Sequence, residues 1–126
     1  MGKLLWQPSE ERIRQANMTK FIDRVNKKYG LEIDSYPQLY NWSIHNISDL
    51  WATMWEFGKI KASRGYDKVV DDLGKFPGTR WFIGARLNFA ENLLRHRDDH
   101  PAFIFRGETQ KSCRMTYAEV YNSAAR

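Results

Sequence analysis

With 126 residues, 42% of them hydrophobic and 14% aromatic, the chain has material for a packed core, which excludes a disordered linker. Its net charge of +5 is spread over interspersed signs, as in Glu10-Glu11-Arg12 and Arg97-Asp98-Asp99. That pattern reads as a solvated surface and does not call for nucleic acid. One cysteine, Cys113, excludes an intramolecular disulfide and a thiolate metal cluster; no signal core or long apolar stretch is present, which predicts a cytoplasmic protein with no membrane segment.

Ser9 is suited to cap a helix whose first turn carries Glu10 and Glu11. Met18, Phe21, Ile22, Val25 and Tyr29 continue it at 3.6-residue spacing, with Asn17 and Thr19 as an interruption near the middle and Gly30 as its stop. Pro37 suits the first turn of a short helix reaching His45. Ser48 and Asp49 open the next, whose Trp51, Met54 and Trp55 fall at core spacing, for packing in the core or at an interface, and which Gly58 weakens at its end. Residues 61–79 read as irregular, with a short helix over Asp67–Leu73 and a turn at Phe76-Pro77-Gly78.

Trp81 to Arg95 is the junction of the chain. Aromatic residues lead in, Gly84 permits a turn, and Asn88 caps a short helix with Leu87, Ala90, Leu93 and Leu94 at helical spacing. Pro101 ends helix before it. Ala102-Phe103-Ile104-Phe105 is a strand apolar on both faces, of the kind usually buried on both sides, and Lys111–Met115 is its return strand. Thr116 and Glu119 have capping-box spacing before a helix with Tyr117, Val120, Tyr121 and Ala124 on one face. A lone hairpin is marginal in water, so a strand of this kind predicts a chain that stops just after a larger domain has begun.

No catalytic constellation stands out. His96 and His100 are four apart, but Pro101 argues against the continuous helix that two ligands on one face would need. His45 has no nucleophile or carboxylate nearby, and Cys113 has no activating motif. The acidic pairs Glu10/Glu11, Asp71/Asp72 and Asp98/Asp99 are sequence neighbours that read as surface. Neither glycine-rich phosphate-binding pattern occurs. No catalytic, cofactor-binding or metal-ligating residue is assigned.

Several segments, in order, resemble the N-terminal region of the acetoacetyl-CoA synthetases. They are Trp6-Gln7-Pro8-Ser9-Glu10-Glu11-Arg12-Ile13, Val25-Asn26 to Tyr29-Gly30-Leu31, Tyr36 to Asn41-Trp42-Ser43, Leu50-Trp51 to Trp55, Trp81 to Leu94, Pro101-Ala102 to Glu108, and Met115 to Glu119. The wider acyl-CoA synthetase group of the adenylate-forming superfamily, including acetyl- and propionyl-CoA synthetases, is similar in the Trp81-Phe82 lead-in and in the Leu-Asn-x-x-x-Asn pattern at Leu87, Asn88 and Asn92. Glu91, Pro8-Ser9-x-Glu11-Arg12 and Asn41-Trp42-Ser43 favour the acetoacetyl member.

The resemblance implies an α+β chain: a mainly helical N-terminal cap over residues 1–97, then a β-hairpin and helix over 98–126 that begin a larger adenylating domain. It implies an AMP-forming acid–thiol ligase as the parent, using ATP, CoA, Mg2+ and acetoacetate, with acetate or propionate as the alternative acid. The phosphate loop, the later Asp/Arg motifs and the C-terminal lysine of such enzymes are expected beyond Arg126. The isolated chain is therefore expected to bind no cofactor and to catalyse nothing. Its expected partner is the missing adenylating domain, and its exposed apolar strand makes it a possible homo-oligomer. The contrasting expectation is a free-standing module that binds nucleic acid or protein through its five Trp and its positive charge.

Overall fold

The computed structural model describes residues 5–125. It contains, among these, six α-helices and two antiparallel strand pairs: α1 (Glu10–Gln15), α2 (Asn17–Tyr29), α3 (Tyr36–His45), α4 (Ile47–Phe57), β1 (Lys68–Val70), β2 (Trp81–Ile83), α5 (Phe89–Leu93), β3 (Pro101–Phe105), β4 (Cys113–Thr116) and α6 (Tyr117–Ala124). This is the α+β mixture expected from the residues. The chain forms two compact units. The first runs to Ile60 and includes Asp67–Ile83; the second joins Lys61–Tyr66 to the chain from Gly84 onward.

The first unit is held by α2, α3 and α4. Phe21, Val25 and Leu39 are its buried centre, with Tyr29, Trp42, Leu50 and Phe57 packed around them. The Phe21 and Phe57 rings meet edge to face at 5.3 Å. The long first helix is broken at Ala16, whose extended backbone (ψ 142°) separates α1 from α2. Thr19 spans the break, its hydroxyl donating to the Ile13 carbonyl at 2.6 Å. Gly30 ends α2 in the left-handed region (φ 66°), the conformation a glycine stop provides.

Helix α4 departs from expectation in what it buries. Trp51 and Met54 are each 41% exposed, whereas Thr53 is fully buried. The Thr53 hydroxyl donates to the Asp49 carbonyl at 2.8 Å, and the Tyr29 hydroxyl donates to the same carbonyl at 3.1 Å. A small polar residue satisfied in this way lets α2 approach closely, and that rotates the two large side chains outward.

Asp67–Leu73 is not a helix. Lys68–Val70 is a strand, pairing Lys68 with Ile83 and Val70 with Trp81. Adjacent valines favour a pleated surface, and pairing with β2 decides the matter over local preference. Within β2, Phe82 has φ 47°, a left-handed backbone that is unusual for a bulky residue. Its ring packs 4.7 Å from that of Trp55, a contact that offsets the backbone strain.

In the second unit Asn88 caps α5 as expected, its side chain accepting from the Glu91 amide at 3.1 Å. Asn88→Ala is expected to cost about 1 kcal/mol through the lost cap. An unchanged urea midpoint would contradict it. The Thr116–Glu119 capping box forms with both of its hydrogen bonds. Among the described residues strand β3 pairs with β4, and Phe103, Ile104 and Phe105 are exposed, as expected of an apolar strand whose larger sheet lies elsewhere. Within the second unit, β4 and the short helices α5 and α6 leave these side chains uncovered.

Candidate functional site

An apolar recess of the first unit lies between α2, α3 and α4 and holds about 350 Å³. Met18, Tyr36, Tyr40, Trp51 and Met54 line its mouth, above Phe21 and Leu39. Asn17 and Ser43 are the polar residues on its walls, and no carboxylate, histidine, cysteine or cation reaches it. Such a surface can take up apolar groups but cannot move a proton or activate a nucleophile. A smaller recess is lined by Trp51, Trp81 and Phe82, with the two indoles edge to face at 5.8 Å.

The residues weighed for chemistry are scattered. His45 Nδ1 lies 2.7 Å from the Asn41 carbonyl within α3. The His96 ring meets that of Tyr117 edge to face at 6.0 Å, and His100 pairs with Asp98 at 3.3 Å. Cys113 is exposed on β4, opposite Phe105. Among the described residues no group of three or more His, Cys, Asp and Glu could hold a metal ion. No helix among them is long and apolar enough to cross a membrane.

Three polar residues have structural roles that the sequence did not reveal. Asn26 of α2 clamps the Leu31–Ser35 connector: its amide donates to the Ile33 carbonyl at 2.8 Å, and its oxygen accepts from the Ile33 amide at 2.9 Å. In the second unit Asn92 does the same to Lys61, with both bonds at 2.8 Å. Asparagine in a helix interior is a mild local mismatch, and that mismatch is the one sequence signal for such a tertiary use.

Asp71 is the third, and it corrects the reading of the Asp71/Asp72 pair as surface. Its side chain is only 13% exposed. The carboxylate accepts from the Arg80 amide at 2.9 Å, the Asp72 amide at 2.7 Å, the Arg80 guanidinium at 3.3 Å and the Lys75 ammonium at 3.4 Å. The Arg80 amide chiefly, with the other donors, holds the carboxyl well below its ordinary value of 3.8. A depressed carboxyl stabilises the fold fully above that ordinary value, and the contribution is lost as pH falls below it. The stability gap between the native chain and Asp71→Asn is therefore expected to be constant above about pH 4 and to narrow below it. Parallel denaturant titrations from pH 7 to 2.5 measure this; a gap that widens in acid contradicts it.

The family profile described as acetyl-coenzyme A synthetase N-terminus matches residues 36–93. The chain is 36% identical over 127 residues to an acetoacetyl-CoA synthetase of Xenopus tropicalis, covering 98% of this chain and 19% of that protein. It is 36% identical to the acetoacetyl-coenzyme A synthetase of Rhizobium meliloti (strain 1021), over 92% of this chain and 18% of the relative. A malonamoyl-CoA synthetase of Penicillium aethiopicum is 44% identical over 93 residues, 73% of this chain and 13% of that protein. The solved acetoacetyl-CoA synthetase from Streptomyces lividans superposes with a TM-score of 0.83 at 34% identity, over 98% of this chain and 20% of that one. The chain thus spans about a fifth of the length of these acetoacetyl-CoA synthetases. Fold and sequence agree along nearly its whole length: the chain belongs to the acetoacetyl-CoA synthetase family of acyl-CoA synthetases and corresponds to the N-terminal region of those ligases.

Proposed function

We propose that the chain is the non-catalytic N-terminal part of an AMP-forming acetoacetate–CoA ligase. In this reading residues 1–97 form the cap and 98–126 open the adenylating domain. The observation that carries it is the agreement with acetoacetyl-CoA synthetases in both sequence and fold across 98% of the chain. In the parent reaction an oxygen of the acid's carboxylate attacks the α-phosphorus of ATP and pyrophosphate leaves. The CoA thiolate then attacks the acyl carbon of the adenylate, and AMP departs with the electrons of the C–O bond. The parent is proposed to act in the cytoplasm.

The acid is proposed to be acetoacetate. The relatives named for acetoacetyl-CoA and malonamoyl-CoA both make thioesters with a carbonyl two carbons from the thioester carbon, which supports a short acid with a 3-carbonyl group. Acetate and propionate lack that group. The described residues offer neither a phosphate loop nor a metal-ligand cluster, so they do not fit ATP or Mg2+, and both are assigned to the remainder of the parent. What this chain supplies is packing.

Pyrophosphate release by the full-length protein with acetoacetate, malonamate, acetate and propionate tests the assignment. Turnover with acetoacetate well above acetate is expected; turnover with acetate alone overturns it. The 126-residue chain is expected to release none.

A further inference from the structure

We propose that the Asp71–Arg80 loop is a preformed plug, and that its tip residue Phe76 inserts into an apolar socket on the adenylating part of the parent polypeptide. The proposal rests on the assignment above. Phe76 is 100% exposed, the most exposed large hydrophobic side chain among the described residues, and Leu73 beside it is 52% exposed. An aromatic at a floppy tip would carry little meaning, but this loop is closed at its base. The Asp71 amide donates to the Arg80 carbonyl at 3.1 Å, and the Asp71 carboxylate takes donors from Asp72, Lys75 and Arg80. Inside the loop the Gly74 amide donates to the Asp72 carboxylate at 2.9 Å, and the Thr79 hydroxyl to the Lys75 carbonyl. The loop's ordering cost is thus met before any partner arrives, which is how a rigid aromatic anchor gains affinity.

Two observations select the occupant. The acetoacetyl-CoA synthetases that this chain matches are about five times its length, so in the parent most of the protein lies outside the described residues and needs a surface to pack against. The charges around Phe76 nearly balance, Lys68, Lys75 and Arg80 against Asp71 and Asp72: Lys75 and Arg80 pair with Asp71, at 3.4 and 3.3 Å, and Lys68 donates to the Asp71 carbonyl at 3.1 Å. A loop whose charges nearly balance is poorly suited to an anionic lipid surface and better suited to an uncharged protein socket.

The test places a thiol at the tip. Phe76→Cys, in chains whose Cys113 is replaced by serine, is made in the 126-residue chain and in the full-length parent, and maleimide alkylation is followed on the peptide carrying residue 76. Alkylation in the full-length protein is expected to be at least about tenfold slower than in the short chain at the same dilution. Phe76→Ser is expected to lower the melting temperature of the full-length protein and to leave that of the short chain unchanged, with Phe76→Leu restoring most of the loss. Equal alkylation rates, or equal melting shifts in both forms, overturn the proposal. So does protection that appears only on raising the concentration, which signals a second copy, or only on adding phosphatidylserine vesicles, which signals a membrane. The ligase assay separates the two readings. An active acetoacetate ligase with an unprotected tip rejects the plug alone; a protected tip in a protein inactive on acetoacetate rejects the substrate alone.

Discussion

Phe21→Ala is expected to cost the helical unit about 3–5 kcal/mol. Phe21 is 6% exposed, belongs to the buried centre with Val25 and Leu39, and meets the Phe57 ring edge to face. Truncation removes an aromatic contact between α2 and α4 and leaves a void beside the recess between α2, α3 and α4. The backbone cannot close it cheaply, because Thr53 and Tyr29 hold the same two helices through the Asp49 carbonyl. A shift of 1 kcal/mol moves the melting point of a domain this small by about 4–8 °C, so Phe21→Ala should leave the unit largely unfolded at 37 °C. Far-ultraviolet circular dichroism during a thermal melt reads this directly. A fall of less than about 5 °C contradicts the assignment of Phe21 to the core.

Asn26→Asp is expected to destabilise by about 2 kcal/mol at pH 7, since the lost donor leaves the half-buried Ile33 carbonyl unpaired and sets a carboxylate against it. The pH dependence identifies the cause. Facing a carbonyl raises the introduced carboxyl's pKa above its unfolded value, and the protonated acid can again donate to Ile33 while accepting from its amide. The penalty relative to the native chain should therefore shrink as pH falls through that raised value. Asn26→Ala, which cannot protonate, should show no such recovery. Denaturant midpoints for the two variants at pH 7 and pH 4.5 decide it; matching behaviour removes the two-bond clamp as the explanation.

The features read correctly from the residues are those with local causes. Gly30 stops α2, Pro37 starts α3, Asn88 caps α5, and Thr116 with Glu119 forms a capping box, because each motif closes within a few residues. The misread features have distant causes. Val69 and Val70 gain their strand from β2, more than ten residues away, and three paired residues leave no periodicity to detect. Trp51 and Met54 repeat at core spacing, yet a stripe shows only that one face is apolar, not which neighbour it meets. Asp71 looks like any acidic turn residue until the loop folds back and brings the Arg80 amide to it.

The candidate recess was less legible still. Its residues come from α2, α3 and α4, and in sequence those of α2 and α4, such as Met18, Phe21, Trp51 and Met54, show only an apolar face on each helix. What the sequence by itself determined is the α+β composition, the stops and caps of the helices, and the ordered motif series from Trp6 to Glu119 that marks the family. What only the tertiary structure decided is where the side chains spend themselves: Thr53 inward and Trp51 outward, Asn26 and Asn92 as clamps, Asp71 at the base of a closed loop with Phe76 at its tip. The physical reason is separation along the chain. Caps and stops are settled by neighbours a turn away, whereas burial and long-range hydrogen bonds exist only after chain closure has brought distant backbone together.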